Sequence, residues 1–225
     1  MKTIAFALLI VLASAMYAFG DSCVVTTYDK YLGTSCGIDD KTFWNFSYST
    51  AGTNPMPASS ITVNPITTQY NPGFLFNAPW SAGAGQTQDS LIGFTVNVNQ
   101  GGNLITDLSL SMFGAGVIGT GQVSVAETYC LGDTFANLCA NGTEGTLLTL
   151  LNSSHSILSA HVSFAGVKVV DVFKDIQLIG GTDGDATLLS GVADQFSEVP
   201  EPGSMVLLGT GALGLAGVLR RKLML

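Results

Sequence analysis

Ile92-Gly93-Phe94-Thr95-Val96-Asn97-Val98 alternates large apolar residues with small or polar ones, step by step. Successive side chains of an extended chain point to opposite faces, so this stretch reads as a β-strand with one face in a core and the other toward water. The same period extends outward in both directions. Upstream, Trp44, Phe46 and Tyr48 fall on one face, with Phe43, Asn45 and Ser47 on the other. Downstream it runs through Leu104, Thr106, Leu108 and Leu110, then Val123 and Val125, then Leu158, Ala160, Val162 and Phe164. It ends in Val170, Val172, Ile176 and Leu178, where Lys174 interrupts.

Turn-forming clusters separate these runs, among them Gln100-Gly101-Gly102-Asn103, Gly114-Ala115-Gly116, Asn141-Gly142 and Ala165-Gly166. No interior segment keeps an apolar stripe at helical spacing for three turns. Two packed antiparallel sheets satisfy such a pattern, and the expected fold is all-β: an antiparallel β-sandwich, with a jelly roll among its candidate topologies. The body spans 21–182, the length of one domain. Thr53 to Pro79 carries five prolines, which remove ladder donors, so it is expected to form a long loop or edge strands. Residues 183–198 lack the alternation and read as a spacer.

Charge narrows the partners. All 16 acidic residues lie between Asp21 and Glu201, against four lysines, a net charge of −12 for that interval. Nucleic acid and anionic lipid surfaces, which are bound through Lys and Arg, are disfavoured. The four cysteines, Cys23, Cys36, Cys130 and Cys139, suit two disulfides in an exported chain, and proximity favours Cys23 with Cys36 and Cys130 with Cys139. No CxxC pair and no clustered histidine supports a metal centre, and no cofactor is implied.

Catalysis finds little support. The two histidines, His155 and His161, stand apart from any nucleophile motif, and His161 falls on the outward face with Ser159 and Ser163. The chain is therefore expected not to be an enzyme. A calcium loop at Thr182-Asp183-Gly184-Asp185 is outweighed by an ordinary Asx-type turn. Trp80, in Asn77-Ala78-Pro79-Trp80-Ser81-Ala82-Gly83, is a candidate sugar-stacking residue, a role outweighed by that of plugging one end of the sandwich.

The two ends carry an address. Lys2, the apolar run from Ile4 to Ala15 and the small residues around Ala18-Phe19-Gly20 read as a signal peptide over 1–20. At the other end, Val199-Pro200-Glu201-Pro202 is followed by an uncharged segment from Gly203 to Leu219 and by Arg220-Arg221-Lys222. As a helix, 203–219 would reach about 25 Å, just enough to cross a bilayer whose apolar core is about 30 Å. The basic cluster would then stay on the cytoplasmic side, leaving the body outside. The proline-rich strip before it should be extended and accessible to a protease.

This order of parts, residues 199–225, resembles the PEP-CTERM sorting domain of exported proteins from Gram-negative, exopolysaccharide-producing bacteria. The resemblance implies that Val199, Pro200, Glu201 and Pro202 are the sorting motif, read by an exosortase-type membrane enzyme. By the same likeness, Arg220, Arg221 and Lys222 form the stop-transfer cluster of an inner-membrane anchor. It implies sorting and leaves the activity of the attached domain open. Two readings of that domain follow: a non-enzymatic cell-surface or matrix protein associated with exopolysaccharide, or a secreted glycosidase-like hydrolase acting on that matrix. An exposed aromatic platform would favour the first, and two converging carboxylates in a cleft the second.

Overall fold

The alternating stretches form strands in the computed structural model, which describes residues 21–182 and 184–198. In chain order they are β1 (Thr26–Thr27), β2 (Cys36–Ile38), β3 (Lys41–Gly52), β4 (Thr62–Ile66), β5 (Gly73–Gly83), β6 (Thr87–Val98) and β7 (Ile105–Phe113). They continue as β8 (Gly116–Ile118), β9 (Gln122–Leu131), β10 (Thr143–Asn152), β11 (Ser156–Ile157), β12 (Ser159–Val167), β13 (Val169–Ile179) and β14 (Ala186–Glu198). The strands pair antiparallel in two sheets. One sheet has the order β1-β4-β5-β14-β7-β12, with β8 beside β14; the other runs β11-β10-β9-β13-β6-β3-β2. The all-β sandwich is thus as expected.

The inward faces meet in one core. Phe43, Phe46, Phe74, Phe76, Phe94 and Phe196 lie at ring-centroid distances of 4.7–6.1 Å from one another, mostly edge to face. Such geometry sets the positive ring edge against the negative face of its neighbour. Val123, Val125, Val172, Ile176 and Leu178 fill the other half. Both disulfides form between the expected partners, Cys23 with Cys36 and Cys130 with Cys139, with Cα–Cα distances of 4.8 and 5.8 Å.

Three expectations need correction. Residues 186–198 are not a spacer: they form β14, a 13-residue interior strand paired with β5 and β7, so the sheet domain runs to Glu198. The phase of β3 also changes midway. Asn45 takes a left-handed backbone (φ 57°) at a bulge between Trp44 and Ser47. Phe43 and Phe46 therefore both point inward, while Trp44 faces out. Finally, the proline-rich stretch contributes β5, which lies inside its sheet between β4 and β14. Pro79 fits there because the β5–β14 register shifts beside it, between Leu189 and Gly191, where a missing N–H breaks no regular ladder.

Among the described residues, no helix is long and apolar enough to cross a membrane. The expected signal helix at 1–20 and membrane segment at 203–219 lie outside the described residues, as does the sorting motif from Val199 onward.

Candidate functional site

The outer face of the β6-containing sheet carries the aromatic and polar groups best placed to meet a ligand. Register across β3, β6 and β13 builds it in rows. Trp44, Thr95 and Asp171 are neighbours in one row, Ser47, Gly93 and Phe173 in the next, and Ser49, Leu91 and Asp175 in the third. Trp44 is 37 % exposed at one side. Gly93 is required in the middle of the strand, since a Cβ there would come within 2.5 Å of both the Phe173 ring and Ser47 Oγ. Phe173 leans into the space that Gly93 leaves, and Phe135 packs on it at 5.1 Å.

Phe135 is held there by a buried carboxylate. Asp171 accepts hydrogen bonds from the Thr95 hydroxyl at 2.8 Å and from the Phe135 backbone N–H at 2.9 Å. Burial raises its pKa, and these donors offset part of the rise. Asp133 fixes the rest of the 133–141 loop by accepting from the Thr134 and Asn141 backbone N–H groups, beside the Cys130–Cys139 disulfide. The loop is thereby pinned over one end of the face. At the other end, the Asp175 pKa is pushed up by burial and by the neighbouring Asp89 carboxylate.

Trp80 is elsewhere. It is 1 % exposed and inside the sandwich, and its indole N–H donates to Ser90 Oγ at 3.3 Å. It plugs the core, the role that outweighs sugar stacking on the sequence, and presents no surface to a sugar, so its candidacy as a carbohydrate contact falls. The outward aromatics missed by sequence are Trp44, hidden by the bulge, and Phe173. Phe173 carried a legible signal, as the large aromatic on the outward phase between Val172 and Lys174.

His161 is exposed on β12 with Ser159 and Ser163, as expected. The Thr182–Asp185 turn is closed from within: Asp185 Oδ2 accepts from the Thr120 N–H at 2.8 Å and hydroxyl at 2.6 Å, and from the Thr182 N–H at 3.0 Å. These donors lower the Asp185 pKa to about 2, and they occupy the oxygen a calcium ion would need. Asp39, Asp40 and Glu198 bring carboxylate oxygens within 4.8 Å of one another at the end of β14. Their cation is Lys41, whose Nζ lies 2.5 Å from Asp40 Oδ1 and 2.7 Å from Glu198 Oε1. A cavity of 170 Å³ beside the Cys23–Cys36 disulfide, lined by Asp21, Lys30, Tyr31 and Thr34 among others, is smaller than most ligand sites, which run from roughly 300 Å³.

The family model of the PEP-CTERM protein-sorting motif matches residues 198–222, as the resemblance of the tail implied. The match begins at Glu198, the last residue of β14. No curated protein matches the chain. Among solved structures, TmCBM61 in complex with β-1,4-galactotriose is similar at 9 % identity and a TM-score of 0.33, over 67 % of this chain and 88 % of that one. The family 32 CBM from C. perfringens NanJ in complex with galactose is similar at 15 % identity and a TM-score of 0.21, over 65 % of this chain and 93 % of its own. The family 11 xylanase from Neocallimastix patriciarum gives 9 % identity and a TM-score of 0.19, over 66 % and 96 %. These likenesses are too loose to carry an argument about function.

Proposed function

We propose that this chain is an exported, non-enzymatic surface or matrix protein. Its C-terminal Pro200-Glu201-Pro202 motif is read by an exosortase-type enzyme, while 203–219 anchors it in the inner membrane with Arg220, Arg221 and Lys222 on the cytoplasmic side. The sorting motif carries this reading, because it matches a family model and follows directly on the last strand of the domain. Two disulfides and a strongly acidic body accord with life outside the cytoplasm. Mass spectrometry of the C-terminus, from cells with and without the processing enzyme, tests it. Cleavage near Pro200 only in the first case is expected, and an identical intact tail in both would defeat the proposal.

The sandwich then meets exopolysaccharide through the face built by Trp44, Phe173 and Phe135. Aromatic faces stack on the C–H surface of a sugar ring, while Ser47, Asn45 and Asp175 supply polar edges. Trp44→Ala should weaken retention of the protein on matrix polysaccharide at least about tenfold, the equivalent of ~1.4 kcal/mol, without lowering its melting temperature. Unchanged retention would remove this face from the proposal.

The hydrolase reading would have to use Asp89 and Asp175 on the same face. They stand on neighbouring strands close enough for the Asp89 charge to help raise the Asp175 pKa, whereas glycosidase carboxyls stand at least about 5 Å apart to admit the sugar between them.

A further inference from the structure

At the centre of the sandwich, three ionisable side chains meet with no exposure at all. Lys174 on β13 lies 2.8 Å through Nζ from Glu127 Oε2 on β9, its direct cross-strand partner, and in contact with Asp194 Oδ2 on β14 of the opposite sheet. Each of the three side chains is 0 % exposed. Aromatic walls close the site, with Nζ 4.4 Å from the Phe94 ring centroid and 5.9 Å from that of Phe76. Val172 and Ile176 flank Lys174, and Val192 and Phe196 flank Asp194, all buried. As an ion cluster the arrangement is poor. Two carboxylates face one ammonium, and Glu127 Oε1 and Asp194 Oδ1 have no hydrogen-bond partner. Buried ion pairs seldom recover their desolvation even when fully satisfied.

The geometry points to a covalent use: we propose that Lys174 and Asp194 condense to an intramolecular isopeptide bond between the two sheets, with Glu127 as the acid–base group. The balance is that of amide formation. Lys174 gives its ammonium proton to the Asp194 carboxylate, leaving a neutral amine against a carboxylic acid. The amine lone pair forms the Nζ–Cγ bond. Glu127, as a carboxylic acid, hydrogen-bonds the Asp194 oxygen that takes up charge. It then accepts a proton from Nζ and delivers one to the departing hydroxyl. The Cγ–O bond breaks, one water leaves, and Glu127 ends in the state in which it began. No oxidant, reductant or activating group is needed.

Three features of the site suit this step. Burial and the Asp194 charge raise the Glu127 pKa to about 8, so it holds a proton at neutral pH, and burial also raises that of Asp194. Burial alone would lower the Lys174 pKa, but Asp194 and Glu127 outweigh it, so the proton must pass between groups already in contact. Fixing nucleophile and electrophile side by side gives effective molarities of roughly 10⁵ M and above, and the dry cavity removes the water that would hydrolyse the amide. The product also resolves the charge problem, because an amide and a protonated glutamate leave no buried ion.

The test is a peptide map of the full chain after reduction and alkylation. Chymotryptic cleavage at Phe173, Leu178, Leu189 and Phe196 should leave segments 174–178 and 190–196 joined, lighter by one water than their sum. Trypsin should fail to cut after Lys174. In Glu127→Gln and in Lys174→Arg, the two segments should separate at their unmodified masses. Separate unmodified segments from the wild-type chain would overturn the proposal, whatever the variants do. So would a cross-link from Lys174 to Glu127 instead of Asp194.

Discussion

Two lysines are completely buried in this domain, and they sit in opposite circumstances. Lys174 is sealed between the sheets against Glu127 and Asp194, which have no access to water. Lys41 is at the rim, between a buried Glu198 and a partly exposed Asp40, and it also donates to the Asn103 carbonyl at 2.9 Å. At the rim, burial would raise the Asp40 pKa, but Lys41 and the Asn103 N–H overcome it and hold Asp40 below its ordinary value, whereas the buried Glu198 is raised by desolvation despite the same lysine. In the centre, desolvation wins over the ammonium, and both carboxyls are raised. The same residue types therefore act as an ordinary ion pair where solvent reaches one partner, as it does Asp40, and as a strained and reactive group where it reaches none.

The largest effect that would break this contrast is at the centre. Lys174→Met leaves two carboxyls with no cation and should cost about 3–5 kcal/mol, read as a lower denaturation midpoint. Replacing Glu127 and Asp194 by apolar residues in the same chain should recover the part of that loss that comes from orphaned charge, but not the part that comes from losing the cross-link between the sheets. If the triple variant is no more stable than Lys174→Met, the cost comes from packing or from the missing cross-link and not from orphaned charge.

A smaller effect is expected at the rim. Lys41→Met should cost about 1–2 kcal/mol, between the limits for exposed and buried pairs, since Asp40 can hydrate while Glu198 is left buried without its cation. Raising salt from 0.1 to 1 M, which shortens the screening length from about 10 to about 3 Å, should narrow the gap between Lys41→Met and the wild type but leave the Lys174→Met gap unchanged. Equal salt responses would show that the two sites do not differ in access to solvent.

The same charges explain what was legible in the sequence. Stretches such as Ile92–Val98 of β6 and Val123–Val125 of β9 announce themselves because their inward positions are apolar, and the two short-range disulfides follow from spacing. β14 was misread as a spacer because two of its inward positions, Asp194 and Glu198, are acidic, and Gly191 sits at a register shift. Lys174 looked like an interruption of β13 for the complementary reason. Each polar residue breaks its own strand's pattern, and the partner that explains it lies on another sheet or another strand. Trp44 and Phe46 were assigned to one face because a bulge at Asn45 leaves no mark in the alternation around it. Trp80 beside Pro79 leaves both a loop and a core position open in the sequence, and a proline at a register shift can sit next to a core residue. The outer face itself was only half visible, since Phe173 is in phase but Trp44 is not.

A carboxylate in a surface turn extends the comparison to its other limit, with the smallest expected effect. Asp185 is held near pKa 2, down from 3.8, first by the Thr120 hydroxyl and then by the Thr120 and Thr182 backbone donors. A group whose folded pKa is depressed adds stability that is complete above its unfolded value and is lost as pH falls through the folded one, so this turn should loosen between about pH 4 and pH 2. The Thr120 and Thr182 amide signals in a pH titration should inflect near pH 2, and Asp185→Asn should abolish the inflection while barely changing the melting temperature. An inflection near the ordinary aspartate value would mean that the donors do not hold the carboxylate. Charge at the surface would then be stabilised by water alone, and the gradient from sealed core through rim to turn would have no third point.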